Sequence, residues 1–121
     1  MIRKTIFMDI DGCLLTHVGE TASEIAAGLV NDTMKLIPGT KEKFDEWKSK
    51  GYVIIITTGR SPSLKRFTEK QLIKHGLVYD RLIMGCPAER HLVNDLNYND
   101  DNTAFAHNLV RNKEGIKDLD I

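Results

Sequence analysis

Thr5-Ile6-Phe7-Met8-Asp9-Ile10-Asp11-Gly12 is a short apolar run that stops abruptly at two acids and a glycine. It reads as a buried strand running into a turn. In extended chain, residues i and i+2 project to the same side, so Asp9 and Asp11 face together while Ile10 turns into the core. Two carboxylates this close repel one another unless a cation lies beside them.

The same transition recurs downstream. Tyr52-Val-Ile-Ile-Ile-Thr57 is a run of β-branched residues that predicts a strand buried on both faces, as in a parallel sheet. It is followed by Thr58-Gly59-Arg60, and then by Ser61-Pro62, a good N-cap and first-turn pair. Arg81–Met84 and His91–Asn94 predict a third and a fourth strand, the latter closing on Asn94-Asp95, and Thr103–His107 predicts a fifth. Helices are expected over about 40–50, with Phe44 and Trp47 inward and Gly51 as its left-handed terminator, and over about 62–75, with Leu64, Phe67 and Leu72 inward. A short helix is expected over 23–29. Alternating strands and helices predict a mostly parallel α/β sheet of about five strands, in one domain spanning 1–121.

Ligands of open α/β sheets sit beyond the carboxyl ends of the strands. Asp9/Asp11, Thr58-Gly59-Arg60 and Asn94-Asp95 all fall there. Hard oxygen donors favour magnesium, with Asp9, Asp11, Asn94 and Asp95 as the candidate ligands. One carboxylate of the first pair can attack phosphorus, and the other can exchange protons with the leaving alkoxide and with water. Thr58 offers a hydroxyl to a phosphate oxygen, and Gly12 and Gly59 let the backbone approach it. Arg60 either faces substrate or pairs with an acid at the surface.

Two other readings of these residues are weaker. A calcium loop counted from Asp9 puts Glu20 in the twelfth position, but Leu14 stands where such loops need glycine. A cysteine nucleophile at Cys86 would need an arginine six residues on, where Leu92 stands. The four histidines show no metal-ligand spacing.

Phe7-Met-Asp-Ile-Asp-Gly-Cys-Leu14, Ile54-Ile-Ile-Thr-Thr-Gly-Arg60 and Leu92-Val-Asn-Asp95 resemble motifs I, II and IV of the haloacid dehalogenase-like superfamily. Tyr79–Gly85 is similar to its small capsule- and sugar-phosphate phosphatases. The resemblance implies a Rossmann-like three-layer α/β/α sandwich and magnesium, with Asp9 as nucleophile, Asp11 as acid/base and Thr58 as phosphate ligand. It implies no cap domain, because only the 13–37 stretch is available as a flap. Where the family carries Gly-Lys-Pro, this chain has Gly85-Cys86-Pro87. Losing a cation there removes stabilisation of the transferring phosphoryl group worth about 10²–10³ in rate, by analogy with one oxyanion donor. Arg90, or alternatively Lys65, is the candidate replacement.

Seventeen basic and seventeen acidic side chains leave no formal net charge. That balance argues against a strong field gathering nucleic acid or anionic membrane. Two cysteines are too few for a disulfide framework, and no stretch reaches the roughly 20 apolar residues of a membrane span. The expectation is a cytoplasmic magnesium-dependent phosphatase of a small sugar phosphate or related metabolite. Its site is open enough for a second copy of the chain to cover. A catalytically weakened phosphate-binding module and a nucleic-acid 3′-phosphatase are the alternatives.

Overall fold

Strand β2, Val53–Thr57, is the axis of the molecule: in the computed structural model it pairs in parallel with β1, Thr5–Met8, on one side and with β3, Arg81–Ile83, on the other. The structure describes residues 3–19 and 21–121. Met1, Ile2 and Glu20, the last residue of the calcium-loop reading, lie outside them. Ile6 faces Ile54 and Met8 faces Ile56 across the β1–β2 ladder, and all four are buried. The alternate residues Val53, Ile55 and Thr57 are only half-buried, so the second face of β2 is less covered than its composition predicts.

Helix α2, Thr40–Ser49, follows Gly39 and ends before Gly51, both glycines having positive φ. It buries Phe44 and Trp47 as expected. Helix α1, Ala22–Val30, starts on a Thr21 cap whose side chain accepts the Glu24 N–H at 3.1 Å. The 13–37 stretch expected as a flap is tied into the interior, with Leu14, Leu15, Met34 and Ile37 all buried. The remaining helix is a 3-10 turn, Pro62–Leu64, running into α3, Lys65–Lys74. Its inward face differs from the expected one. Leu72 is buried, but Phe67 is 46% exposed, and the interior positions are taken by Thr68 and Gln71. These three share one face at i, i+3 and i+4.

The sheet has three strands among the described residues, where about five are expected. Neither His91–Asn94 nor Thr103–His107 forms a strand, and β1 is left as an edge. The Asn/Asp-rich stretch between them folds on itself instead. The Asn97 side-chain oxygen accepts the backbone N–H groups of Asn99 and Asp101, both at 2.9 Å, and Asn94 donates to the Thr103 hydroxyl. These bonds hold a local turn at 97–101 and tie Asn94 to Thr103. Apolar side chains of the segment are left outside, Val93 at 92% exposure.

The chain's end nonetheless packs. Ile116 joins the core, and the Asn112 side chain brackets His17, accepting its N–H at 2.5 Å and donating to its carbonyl at 3.2 Å. No helix among the described residues is long and apolar enough to cross a membrane. The architecture is a small α/β fold with a parallel sheet, compatible with a Rossmann-like arrangement.

Candidate active site

Ile10 is fully buried, and its carbonyl accepts the N–H groups of Cys13 and Leu14 at 3.1 and 2.9 Å. This tight turn at the end of β1 carries Asp9 and Asp11. Gly12 completes it with φ +89°, and a Cβ there would stand 2.9 Å from Arg111 Cγ. Only glycine meets both conditions.

Asp9 is the open acid of the pair. Its Oδ1 accepts the Ile10 N–H at 2.9 Å, and its Oδ2 lies 3.5 Å from Arg90 Nη1. Both side chains keep about a third of their surface exposed, 35% and 38%. Burial raises the Asp9 carboxyl above its usual range, and the neighbouring Asp11 charge adds to this. The Arg90 guanidinium and the Ile10 N–H pull the other way. Arg90 is held in turn by the Cys86 carbonyl, which accepts from Nη2 at 2.8 Å. The cation at Asp9 therefore comes from Arg90.

Asp11 is arranged differently. Arg60 donates to it from Nε at 3.0 Å and from Nη2 at 2.8 Å, so both carboxylate oxygens are engaged by one guanidinium. The Arg60 side chain is fully buried, and its Nη1 donates to Thr68 Oγ1 and Gln71 Oε1 at 3.1 and 2.9 Å. Arg60 takes neither role as expected from the sequence: it pairs with an acid, but in the interior rather than at the surface, and its donors are spent there instead of on a phosphate. Thr68 and Gln71 are residues that sequence reasoning missed. Their one visible signal is a polar pair on the expected core face of α3.

Thr58 is buried, and its hydroxyl accepts the Arg60 N–H at 3.1 Å. That bond bends the chain after β2 and aims Arg60 inward. Gly59 is open, with the Cys86 carbonyl 3.5 Å and Arg90 Nη2 3.9 Å from where its Cβ would be. Asn94 and Asp95 are not gathered here. Neither lines the cleft that Asp9 shares with Arg90, and Thr103 bonds to both of them instead.

Three chains of solved structures resemble this one. A chain from the structure of the Pnkp1/Rnl/Hen1 complex is 26% identical over 68% of this chain and 27% of its own length, with a TM-score of 0.56. A second, from the structure of the Pnkp1/Rnl/Hen1 RNA repair complex, is 27% identical over 68% and 25%, with a TM-score of 0.54. A crystal structure from Vibrio cholerae shares the fold over 98% of this chain and 90% of its own, at 17% identity and a TM-score of 0.58. This chain spans about a quarter of the RNA-repair chains it matches. No family model and no curated protein matches it.

The four expected magnesium ligands do not form a cage. Among the described residues no three His, Cys, Asp or Glu side chains come together as a metal group, and both Asp11 oxygens are taken by Arg60. Asp9 is the acid with an oxygen to spare. What stands at the end of β1 is a pair of carboxylates, each with its own arginine.

A cleft of about 550 Å³ opens directly from Asp9 and Arg90. A larger hollow of about 750 Å³ lies within the 108–117 turn and contains none of the expected site residues. Chemistry at Asp9 therefore belongs to the smaller one.

Proposed function

We propose that this chain is a phosphomonoester hydrolase of the haloacid dehalogenase-like kind that removes a terminal 3′-phosphate from a polynucleotide, with Asp9 as nucleophile. The observation that carries the chemistry is the partly open Asp9 carboxylate facing Arg90, beside an Asp11 held from below. The likeness to chains of an RNA repair complex supports a nucleic-acid end over a small sugar phosphate as the substrate. Zero net charge is compatible with that, since recognising an end needs only a few phosphate contacts, unlike tracking along a strand.

The steps follow from the side chains. Arg90 pairs with the incoming phosphate and neutralises charge as the Asp9 oxygen attacks phosphorus. The P–O ester bond breaks, and the 3′-oxygen leaves with a proton from Asp11. Asp11, now ionised, takes a proton from water, which attacks the aspartyl-phosphate. Inorganic phosphate is released and Asp9 is restored. For Asp11 to carry a proton, one of its two Arg60 bonds must open. Arg60 thus orients Asp11 and limits when it can act.

Asp9, together with the substrate's own phosphate oxygens, would hold magnesium, an ion that commonly takes only one or two carboxylates, and when bound it would neutralise charge on the phosphoryl group.

The test is phosphate release from a 3′-phosphorylated oligoribonucleotide and from a panel of sugar phosphates, with and without magnesium, for the parent and Asp9→Asn. Release from the oligonucleotide that vanishes in Asp9→Asn supports the reading. Release confined to sugar phosphates overturns the substrate. Retained phosphate binding without turnover on anything would make the chain a binding module.

A further inference from the structure

The cleft beside Asp9 has a lining that the phosphate chemistry does not use. It runs along the unpaired edge of β1, under the 105–109 segment, and is walled by Phe7, Met8, Trp47, Leu92 and Phe105, with His107 among its polar residues. The chain has only four phenylalanines and one tryptophan, yet two of those phenylalanines and that tryptophan meet here. Phe7 is 53% and Phe105 70% exposed. Exposed apolar surface gathered at one place marks a binding site more often than scattered residues do. Trp47 also borders the cleft, but it is fully buried and packs behind the wall rather than at its surface.

The position of the cleft decides what it can hold. A substrate whose phosphate lies at Asp9 and Arg90 must extend from there, and the cleft is continuous with both residues. A polyhydroxylated sugar would place much of its hydroxyl surface against the carbon of Phe7, Leu92 and Phe105, which offers it no hydrogen bond. A nucleobase presents an aromatic face and a few ring acceptors, which suits exposed phenylalanine rings with an imidazole among the polar lining. Its volume falls within the usual range for small-ligand clefts.

We propose that this cleft receives the base of the nucleotide that carries the scissile phosphate, with Phe7 and Phe105 as its apolar contacts. The assignment rests on the phosphatase reading above for the position of the phosphate, and it explains how the site separates a nucleotide end from a sugar phosphate.

The experiment compares kcat/KM for 3′-phosphorylated oligoribonucleotides ending in an ordinary or an abasic nucleotide, in the parent and in Phe105→Ala. Phe105 is a surface residue, so its truncation leaves the core intact. Stacking of one base is worth about tenfold, so the ordinary end should exceed the abasic end by about that factor. Phe105→Ala should collapse the ratio through KM and leave the abasic end unchanged. Equal rates on the two ends in the parent, or a Phe105→Ala loss shared by both, would overturn the assignment.

A second readout separates this from failure of the phosphatase reading. Adenosine 3′-monophosphate should shift Trp47 emission, ribose phosphate should not, and Phe105→Ala should abolish the shift. If the protein hydrolyses no phosphomonoester but shows that pattern, the base site stands and the phosphatase falls. If both compounds act alike, or neither does, the base site falls whatever the activity. A shift that depends on protein concentration without nucleotide would give the cleft to a second copy of the chain and also refute the proposal.

Discussion

Arg60 grips both carboxylate oxygens of Asp11, at 3.0 and 2.8 Å, from a position with no exposed side-chain surface. A planar fork that matches a carboxylate twice fixes orientation as well as distance. Lysine offers one compact charge and cannot repeat this. Arg60→Lys should therefore lower kcat by about 10²-fold, the scale of a displacement of about 1 Å at a reacting group. It should also unfold at lower denaturant, since one ammonium cannot serve all the acceptors on Asp11, Thr68 and Gln71, at a cost of about 1–3 kcal/mol. Steady-state kinetics and urea titration check both, and an unchanged kcat would mean the fork is only structural.

Gln71 lies one step further back, accepting from Arg60 Nη1 at 2.9 Å. Gln71→Leu leaves that donor with Thr68 alone and should cost about 1–3 kcal/mol of stability. In an Asp11→Asn background Gln71→Leu should still destabilise the fold but lower kcat no further. A kcat loss that persists there would show that Gln71 acts by another route.

Arg90 stands 3.5 Å from Asp9 while Cys86 supplies only a backbone carbonyl to hold it. Arg90→Ala should reduce kcat by about 10²–10³ with little effect on folding, because the side chain is partly exposed. Lys65→Ala, at the start of α3, should leave turnover alone. The opposite ranking in parallel assays would move the active-site cation to Lys65.

Asp9 carries a carboxyl raised by burial, so the folded state holds its charge less readily than the unfolded chain does. Stability is thus lowered above the folded pKa, and the penalty fades as pH falls through it toward the unfolded value. Asp9→Asn removes the penalty: it should abolish turnover and slightly raise the melting temperature at pH 7, a gain that disappears in acid. A lower melting temperature at pH 7 would contradict the assignment of burial as the dominant cause.

Asp80 shows the reverse sign. Its Oδ2 accepts Lys48 Nζ at 2.9 Å and the Ile54 N–H at 2.8 Å, and these bonds lower its carboxyl. They add stability above the unfolded value near 4, and lose it as pH falls through the lower folded value. Asp80→Asn should cost about 1 kcal/mol or less at pH 7, given the exposure of the pair, and flatten the acid limb of the stability curve. An unaltered acid limb in pH-dependent denaturation would rule the contribution out.

The sequence by itself determined the pieces that depend on neighbouring residues. Thr5–Met8 and Val53–Thr57 are strands because their β-branched and apolar runs cannot be satisfied on a surface. The helix starting at Thr40 lies between two glycines that accept positive φ. Asp9 and Asp11 share one turn because the period of extended chain requires it. Tertiary structure decided everything that needed distant parts of the chain. Arg60 meets Asp11 across 49 residues, and Asn112 meets His17 across 95. The inward face of α3 was set by that arginine's need for acceptors, which turned Thr68 and Gln71 in and Phe67 out. His91–Asn94 has the composition of a strand, but pairing is a property of two segments, and among the described residues it finds no strand to pair with.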